Sequence, residues 1–586
     1  MSRIDSAKAN GATRSGGSLP AALRLLDDRQ RLILILLTLG KIAVGCCDLL
    51  VAAAMYLLFL LLQAHAALHQ FWWMPRTALS AALITTAFVI LRGLMDIASA
   101  RSAFRQIQNL HTAFLLRMTE GYSRMEWSRF VELNQSELSA RALQTTREAA
   151  DFYHRCIEIT ANVAIVALMT VALVYQSLAA ACGLAFAVAA FYAGHRFLIR
   201  KKLQAAASGR ETSMRLLQRG LADMFASGKE IRTYGNQAFF QERIRRQAED
   251  AAVNSMHVVF LPQFARVVAD QGAVLLFLFI VIAVEVRQGD LTRLLSLLVF
   301  YFVLSRRLLP LISQIAFLAG QMDGSYENVK VVDAELNECS KHREQALPSL
   351  LPDPGMVMQM TQVTFSFPGR AAILRNVNFF MQEGETIVLH GASGIGKSTI
   401  LNLIAGISQP STGEIRVDRT SIAYVPQEIP LLDDSIRMNL LFGLPERSDE
   451  ELMKALQTAR LDEFVSRLPL GLDASVGDNG ALFSGGERQR LGLARAILRG
   501  ARLLLLDEAT SALDEENERQ VLDQLSTTGK AVLLVTHRLH TRGFGQRVYR
   551  LEAGGLIEEL GWESPITETT SPHGRIVLEL LFRRSS

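Results

Sequence analysis

His390–Thr399 reads HGASGIGKST, which fits the spacing G-x-x-x-x-G-K-[ST] with Gly391, Gly396, Lys397 and Ser398 in place. The apolar ETIVLH precedes it and the helix-prone TILNLIAG follows, the strand-then-helix context that turns the pattern into a phosphate-binding loop. Glycines let backbone N–H groups approach the phosphates, and the N-terminus of the following helix adds partial positive charge. Lys397 is expected to contact the β- and γ-phosphates of ATP and Ser398 to ligate Mg²⁺. The nucleotide-binding candidates in this loop are Gly391, Ser393, Gly394, Ile395, Gly396, Lys397, Ser398 and Thr399.

Further along, RLLLLDEAT (502–510) reads as a buried strand ending in two acids. Two acids at a strand end would otherwise be a simple cap. Beside a phosphate loop, Asp507 is the Mg²⁺ ligand and Glu508 the group that polarises the attacking water. Between the two lies LFSGGERQRLGLARAI, where Ser484, Gly485 and Gly486 open a helix and offer a second anion site.

This combination resembles the ATP-binding cassette of ABC transporters, whose signature is usually written LSGGQ; here Phe483 replaces the leucine and Glu487 the glutamine. The resemblance implies further roles. Gln427 in YVPQ is similar to the glutamine that senses Mg²⁺ and faces the membrane domain, and His537 in VTHR to the switch histidine at the γ-phosphate. Ser511–Asp514 (SALD) resembles the D-loop, and Phe367 in FSFPG stands where an aromatic side chain stacks on adenine. The implied catalytic set is Glu508, His537 and Gln427, and the implied metal set Ser398, Gln427 and Asp507. Asp514 and Ser484, Gly485, Gly486 and Glu487 join the nucleotide set, the last four at the site of the opposite subunit. One chain with one cassette is therefore expected to work as a homodimer with two identical sites.

Two more segments resemble exporters: LPLGLDASVGDNG ahead of the signature, and DDSIRMNLLFG after Gln427. One departure stands out. Exporters carry about a dozen more residues between segments matching GEIRVD and SIAYVPQ, where this chain has only Arg419 and Thr420.

The residues before the cassette are of a different character. The chain of 586 residues is 50% hydrophobic and 20% charged with a net charge of +4, and the apolar runs concentrate in its first 320 residues. That charge is too small to argue for a nucleic-acid partner. Five cysteines without a C-x-x-C pair imply neither a disulfide framework nor a metal site. A crossing helix needs about 20 apolar residues, and six segments qualify: 32–62, 77–99, 156–176, 178–199, 264–286 and 291–315. Basic flanks (ARSAFRQIQ after the second, RKKLQAAASGR after the fourth) place those ends in the cytosol, and FWWMPR suits the opposite interface. Residues 100–155 and 200–261 are expected as helical cytosolic arms, with contact regions near Trp127–Leu138 and Gly228–Gln237. The expected organisation is a flexible tail (1–29), a six-helix membrane domain with the arms (30–335), a linker (336–355) and a cytosolic α/β P-loop NTPase cassette (356–586). The resemblance implies a type IV exporter fold in a bacterial inner membrane.

Charges inside the spans are costly and ask for a reason. Arg92 and Arg307 each lie roughly 24 Å along a descending helix at 1.5 Å per residue, and Arg266 sits near the cytosolic start of an ascending one. Two readings stay open. Each arginine can snorkel to the headgroups or pair with an acid one turn away, as in Arg92–Asp96 and Arg266–Asp270. Alternatively Arg92, Arg266 and Arg307 line a cavity built for an anionic group. FVILRGLMD, FARVVADQG and LSRRLLPLIS resemble membrane segments of lipid-linked oligosaccharide flippases, which implies an amphipathic anionic substrate. An exporter of a natural-product peptide or small metabolite is the alternative, and an ATP-gated channel or regulator is the alternative of another class.

Overall fold

The computed structural model describes residues 19–63, 77–133, 135–176, 200–286, 291–344, 349–367, 369–477, 480–538, 540–552 and 554–559. They form two compact units, Met1–Met125 with Leu133–Arg343, and Glu126–Glu132 with Glu344–Ser586.

The first unit is helical. Its elements are α1 (Leu19–Arg24), α2 (Asp28–Gln63) and α3 (Ala78–Ser123); α5 (Gln135–Ala140) and α6 (Thr146–Gln176), joined by the π-turn Arg141–Thr145; then α7 (Arg200–Ala226), α8 (Gly228–Tyr234), α9 (Gln237–Val286) and α10 (Leu291–Lys341). The short α4 (Trp127–Phe130) falls in the second unit. Residues 28–55, 78–123 and 137–172 are long and apolar enough to cross a bilayer. The fourth expected span, 178–199, lies outside the described residues, and the fifth and sixth fall on α9 and α10.

α3 shows why these helices run on past the apolar stretch. Ala103, Ile107, Leu110, Phe114, Met118 and Tyr122 are buried at helical spacing, so one stripe keeps packing after the sequence turns polar. Two expectations need correction. The segment read as a flexible tail contains α1, whose neighbourhood buries Ala21, Ala22, Leu25 and Leu26. The segment read as linker from 336 is helical through Lys341, because Cys339 is buried against the α3 backbone at Gly121.

The second unit holds two sheets. β1 (Met356–Phe365) pairs antiparallel with β2 (Leu374–Gln382) and with β4 (Thr412–Val417). A six-stranded sheet has the order β5 (Ile422–Val425), β6 (Leu503–Asp507), β7 (Ala531–Val535), β3 (Thr386–His390), β8 (Arg547–Glu552), β9 (Gly555–Glu558). All its pairings are parallel except β8–β9. Alternate residues of the central strands enter different cores: Leu503, Leu505, Leu533 and Val535 on one face, Leu504, Leu506, Val532 and Leu534 on the other. Burial on both faces is why RLLLLDE and AVLLV read as unbroken apolar runs. Helices α11 (Lys397–Ala405), α12 (Ile436–Leu441), α13 (Asp449–Thr458), α14 (Asp462–Arg467), α15 (Gly485–Leu498) and α16 (Glu515–Ser526) complete the unit.

Candidate functional site

β6, β7 and β3 are adjacent and parallel, so the chain segments leaving their C-terminal ends converge at one edge of the sheet. In open α/β sheets that edge is where ligands bind. From β3 the chain enters the phosphate loop with Gly391, Gly394 and Gly396 at φ of 155°, 76° and 118°, conformations that exclude most side chains. A Cβ on Gly391 would stand 2.9 Å from the Leu551 carbonyl oxygen, so backbone packing also demands glycine there. Lys397 begins α11, is buried, and donates to the Gly391 and Ala392 carbonyls at 2.9 and 3.0 Å, curling the loop around its ammonium.

Asp507 ends β6 in a buried position. The Tyr424 hydroxyl donates to it at 3.1 Å, and Ser398 also hydrogen-bonds it. Burial holds the Asp507 carboxyl above the usual carboxylate range, while the Ser398 and Tyr424 hydrogen bonds pull the other way. Ser398 and Asp507 thus present two hard oxygens side by side. This donor set fits Mg²⁺, which takes one or two protein oxygens and completes its shell with phosphate and water. Gln427 is not part of that pair, since its side-chain amide donates to Glu508 Oε2 at 2.9 Å.

Glu508 sits in the left-handed region at φ 50°, a strained position for a non-glycine residue. Its N–H bonds the Val535 carbonyl at 3.0 Å. His537 Nδ1 lies 3.5 Å from the Glu508 oxygen that Gln427 contacts. All three members of the expected catalytic set therefore meet at one carboxylate oxygen.

Among the described residues, the signature helix touches this cluster only through Gln489, whose amide donates to the Glu508 carbonyl at 3.4 Å. Ser484 caps α15: its hydroxyl accepts from the Glu487 N–H at 3.3 Å, and the Glu487 carboxylate accepts from the Ser484 N–H at 2.8 Å. Glutamate at 487 thus closes a capping box. Phe483 is buried edge-on against Phe464 at 5.3 Å, so the aromatic side chain at the usual leucine position is a core residue. Among the described residues no hydrogen bond joins Ser484–Glu487 to the phosphate loop. Asp514 caps α16, accepting from the Asn517 N–H at 2.8 Å, and Phe367 meets Phe365 edge-on at 5.1 Å.

The sequence reading missed a buried network behind the D-loop. Gln489 on α15 donates to Ser511 Oγ at 3.0 Å and accepts from the Ala512 N–H at 2.8 Å. Arg538, next to His537, donates to the Ser511 and Leu513 carbonyls at 2.6 and 2.9 Å and to Glu518 at 2.7 Å. The Glu518 side chain is 1% exposed and also meets Thr510 Oγ1 at 2.5 Å and His540 Nε2 at 2.8 Å. One signal was available: Glu518 and Gln489 stand on the buried faces of their helices, with Val521, Leu522 and Leu525, and with Leu493 and Ala496.

Of the substrate candidates, Arg92 is described. Its Nε donates to Asp48 on α2 at 2.8 Å, and Asp96 lies 3.7 Å from Nη2. Arg266 and Arg307 fall on α9 and α10, with side chains outside the described residues.

Comparisons with known proteins bear on the family and the fold. Residues 374–511 match the family described as "ABC transporter". The chain is 30% identical over 359 residues to an ATP-dependent lipid A-core flippase of Pseudomonas aeruginosa, covering 56% of each protein. It is 42% identical over 211 residues to the mycobactin import ATP-binding/permease protein IrtB of Mycolicibacterium smegmatis, covering 34% of this chain and 36% of the relative. These alignments span from about a third to just over half of the relatives' lengths. In fold, the chain is similar to a bacterial Atm1-family ABC exporter with ATP bound, with a TM-score of 0.65 at 21% identity over 92% of this chain and 95% of that one.

Proposed function

We propose that the chain works as an ABC exporter half-transporter that hydrolyses ATP to move an amphipathic substrate out of or across a bacterial inner membrane; its cassette match and its exporter-like fold support that reading. The observation that carries this reading is the meeting of Gln427, His537 and Glu508 at one carboxylate oxygen beside the phosphate loop. Glu508 is the base that orients and polarises water, and His537 and Gln427 fix its carboxylate. Ser398 and Asp507 would hold Mg²⁺, which would supply charge stabilisation at the transferred phosphoryl group. Lys397 holds the phosphates, and Phe367 stacks on the base.

Ser484 to Glu487 form an anion-binding helix start that, among the described residues, makes no hydrogen bond to its own phosphate loop. The proposal assigns them to the nucleotide of a second copy of this chain, so the working unit is a homodimer with its cassettes in the cytoplasm. The substrate proposed is a lipid-linked glycan with an anionic group. The name of the Pseudomonas relative, a lipid A-core flippase, supports a glycolipid class. Arg266 and Arg307 are its anion contacts, while Arg92 with Asp48 fastens α2 to α3. That clamp favours a second reading, a small-metabolite or peptide cargo, because it withdraws one of three cations.

The test is ATPase activity of the full chain in liposomes with polyprenyl-pyrophosphate glycans titrated in. Stimulated turnover that Arg307→Ala loses while keeping basal activity, and that Glu508→Gln abolishes, is the expected result. Stimulation unaffected by Arg307→Ala, or produced only by a neutral peptide, overturns the substrate assignment. Turnover that never responds to any substrate favours a gate or regulator.

A further inference from the structure

α1 is fastened over a cavity. The Tyr153 hydroxyl donates to the Ala22 carbonyl at 2.7 Å, Arg117 donates to the Leu25 carbonyl at 2.8 Å, and Arg24 pairs with Asp333 at 3.2 Å. Beneath these ties lies a space of about 460 Å³, the size of a small-molecule site. Its walls are apolar and come from four helices: Ala22 and Leu23 from α1, Leu34 and Ile35 from α2, Phe152 and Cys156 from α6, and Met322 from α10. Such a cavity holds water poorly and favours an apolar occupant.

Among the described residues that line it, Arg31 is the charged one. Its Nε is buried without a partner. Its other nitrogens meet the Leu23 carbonyl at 2.5 Å and Asp28 at 2.8 Å, and Asp28 is 96% exposed. A pair with so exposed a carboxylate is weak and readily exchanged. Ile35 is also half-exposed and belongs, with Leu32, Leu36 and Leu39, to an apolar strip along the outside of α2. The cavity mouth therefore opens where a bilayer would lie against the helix. The first 18 residues of the chain are a poor occupant, since Met1 and Ile4 are their only large apolar side chains.

We infer that this cavity binds a phospholipid of the cytoplasmic leaflet with an anionic headgroup, its acyl chain beneath α1 and its phosphate on Arg31. Guanidinium–phosphate hydrogen bonds are charge-assisted and directional, which suits an arginine whose present acid partner is an exposed carboxylate. The lipid would act as a peg holding α1 to α2, α6 and α10, separate from any transported cargo.

The test uses the full chain in nanodiscs doped with phosphatidylglycerol carrying a photoreactive group in its acyl chain, with crosslinks mapped by peptide mass spectrometry. Crosslinks are expected to concentrate at Ala22–Leu26, Cys156 and Met322. Arg31→Gln should lower the yield there about tenfold, the effect of one charge-assisted hydrogen bond. Ala22→Phe and Cys156→Phe fill the cavity from opposite walls, and either should abolish crosslinking while ATPase activity shows that the variant is folded. Crosslinks spread evenly along the exposed faces of α2 and α3 would overturn the site. Equal yields from phosphatidylcholine or a free fatty acid, or no loss in Arg31→Gln, would overturn the anionic phospholipid.

Discussion

Arg538 joins three things: the carbonyls of Ser511 and Leu513, the buried Glu518, and the backbone next to His537. Removing its guanidinium leaves the buried Glu518 carboxylate with only Thr510 and His540, and breaking a buried pair from one side costs about 3–5 kcal/mol. Arg538→Ala is therefore expected to lower both the thermal midpoint of the full chain and its ATPase rate. His537→Ala should lower the rate at an unchanged midpoint, because His537 is largely exposed. Thermal unfolding beside turnover separates the two. A Glu518→Gln, Arg538→Gln double variant should recover part of the lost stability, since neither side chain then carries an unpaired charge. The contrast also shows what a sequence discloses at this scale. Lys397, Asp507 and Glu508 were legible because their chemistry fixes residue type and spacing. Arg538 and Gln489 were not, because each acts through backbone groups that only the folded chain brings to it. Arg92 is similar: its closest acid is Asp48 on another helix, not the helical neighbour Asp96.

Helices and strands meet most tightly at two glycines. A Cβ on Gly45 of α2 would stand 2.2 Å from the Ile165 side chain of α6, so the absence of a side chain sets how closely those helices approach. Gly45→Ala is expected to cost about 1–3 kcal/mol through overpacking. Ile165→Val in the same chain should restore part of it, since a side chain can give way. Thermal unfolding in detergent, read across the two single variants and the double, checks the coupling. Gly413 in β4 is less forgiving. Its φ is +91°, and a Cβ there would lie 2.4 Å from the Gln362 carbonyl oxygen, at the irregular register of β1. Gly413→Ala should therefore destabilise the antiparallel sheet with no compensating side-chain change. The long apolar runs announced the spanning elements, yet their ends were hidden. α1 and the last turns of α10 are short amphipathic pieces whose packing partners lie far along the chain, so neither could be told from a polar connector.

At the scale of the molecule, the separation of Ser484–Glu487 from their own phosphate loop has a testable result. Chains carrying Lys397→Ala and chains carrying Ser484→Arg should each be inactive alone. Co-expressed, they should recover ATPase activity if the proposed homodimer holds, since one of its two shared sites then lacks both defects. Recovery absent in a preparation shown to contain both chains in one particle would mean that each nucleotide site is complete within its own chain. The two-part architecture was legible from composition alone, since apolar spans and a soluble α/β pattern occupy different halves of the sequence. The strand order was not, because a parallel sheet places no local mark on which strands become neighbours.

That order also governs the chain as it is made. β3 leads into the phosphate loop, yet the strands bonded to its two edges are β7 and β8, which lie past residue 530. A ribosome therefore delivers TIVLH long before anything can pair with it, and non-local pairing of this kind is slow and exposed to aggregation. A nascent chain halted after Lys530 would hold the complete phosphate loop and both acids, yet leave the strand that carries the loop unpaired on both sides. The segment from Ala531 onward thus decides when the motor first exists, and it also brings His537 to the Glu508 carboxylate.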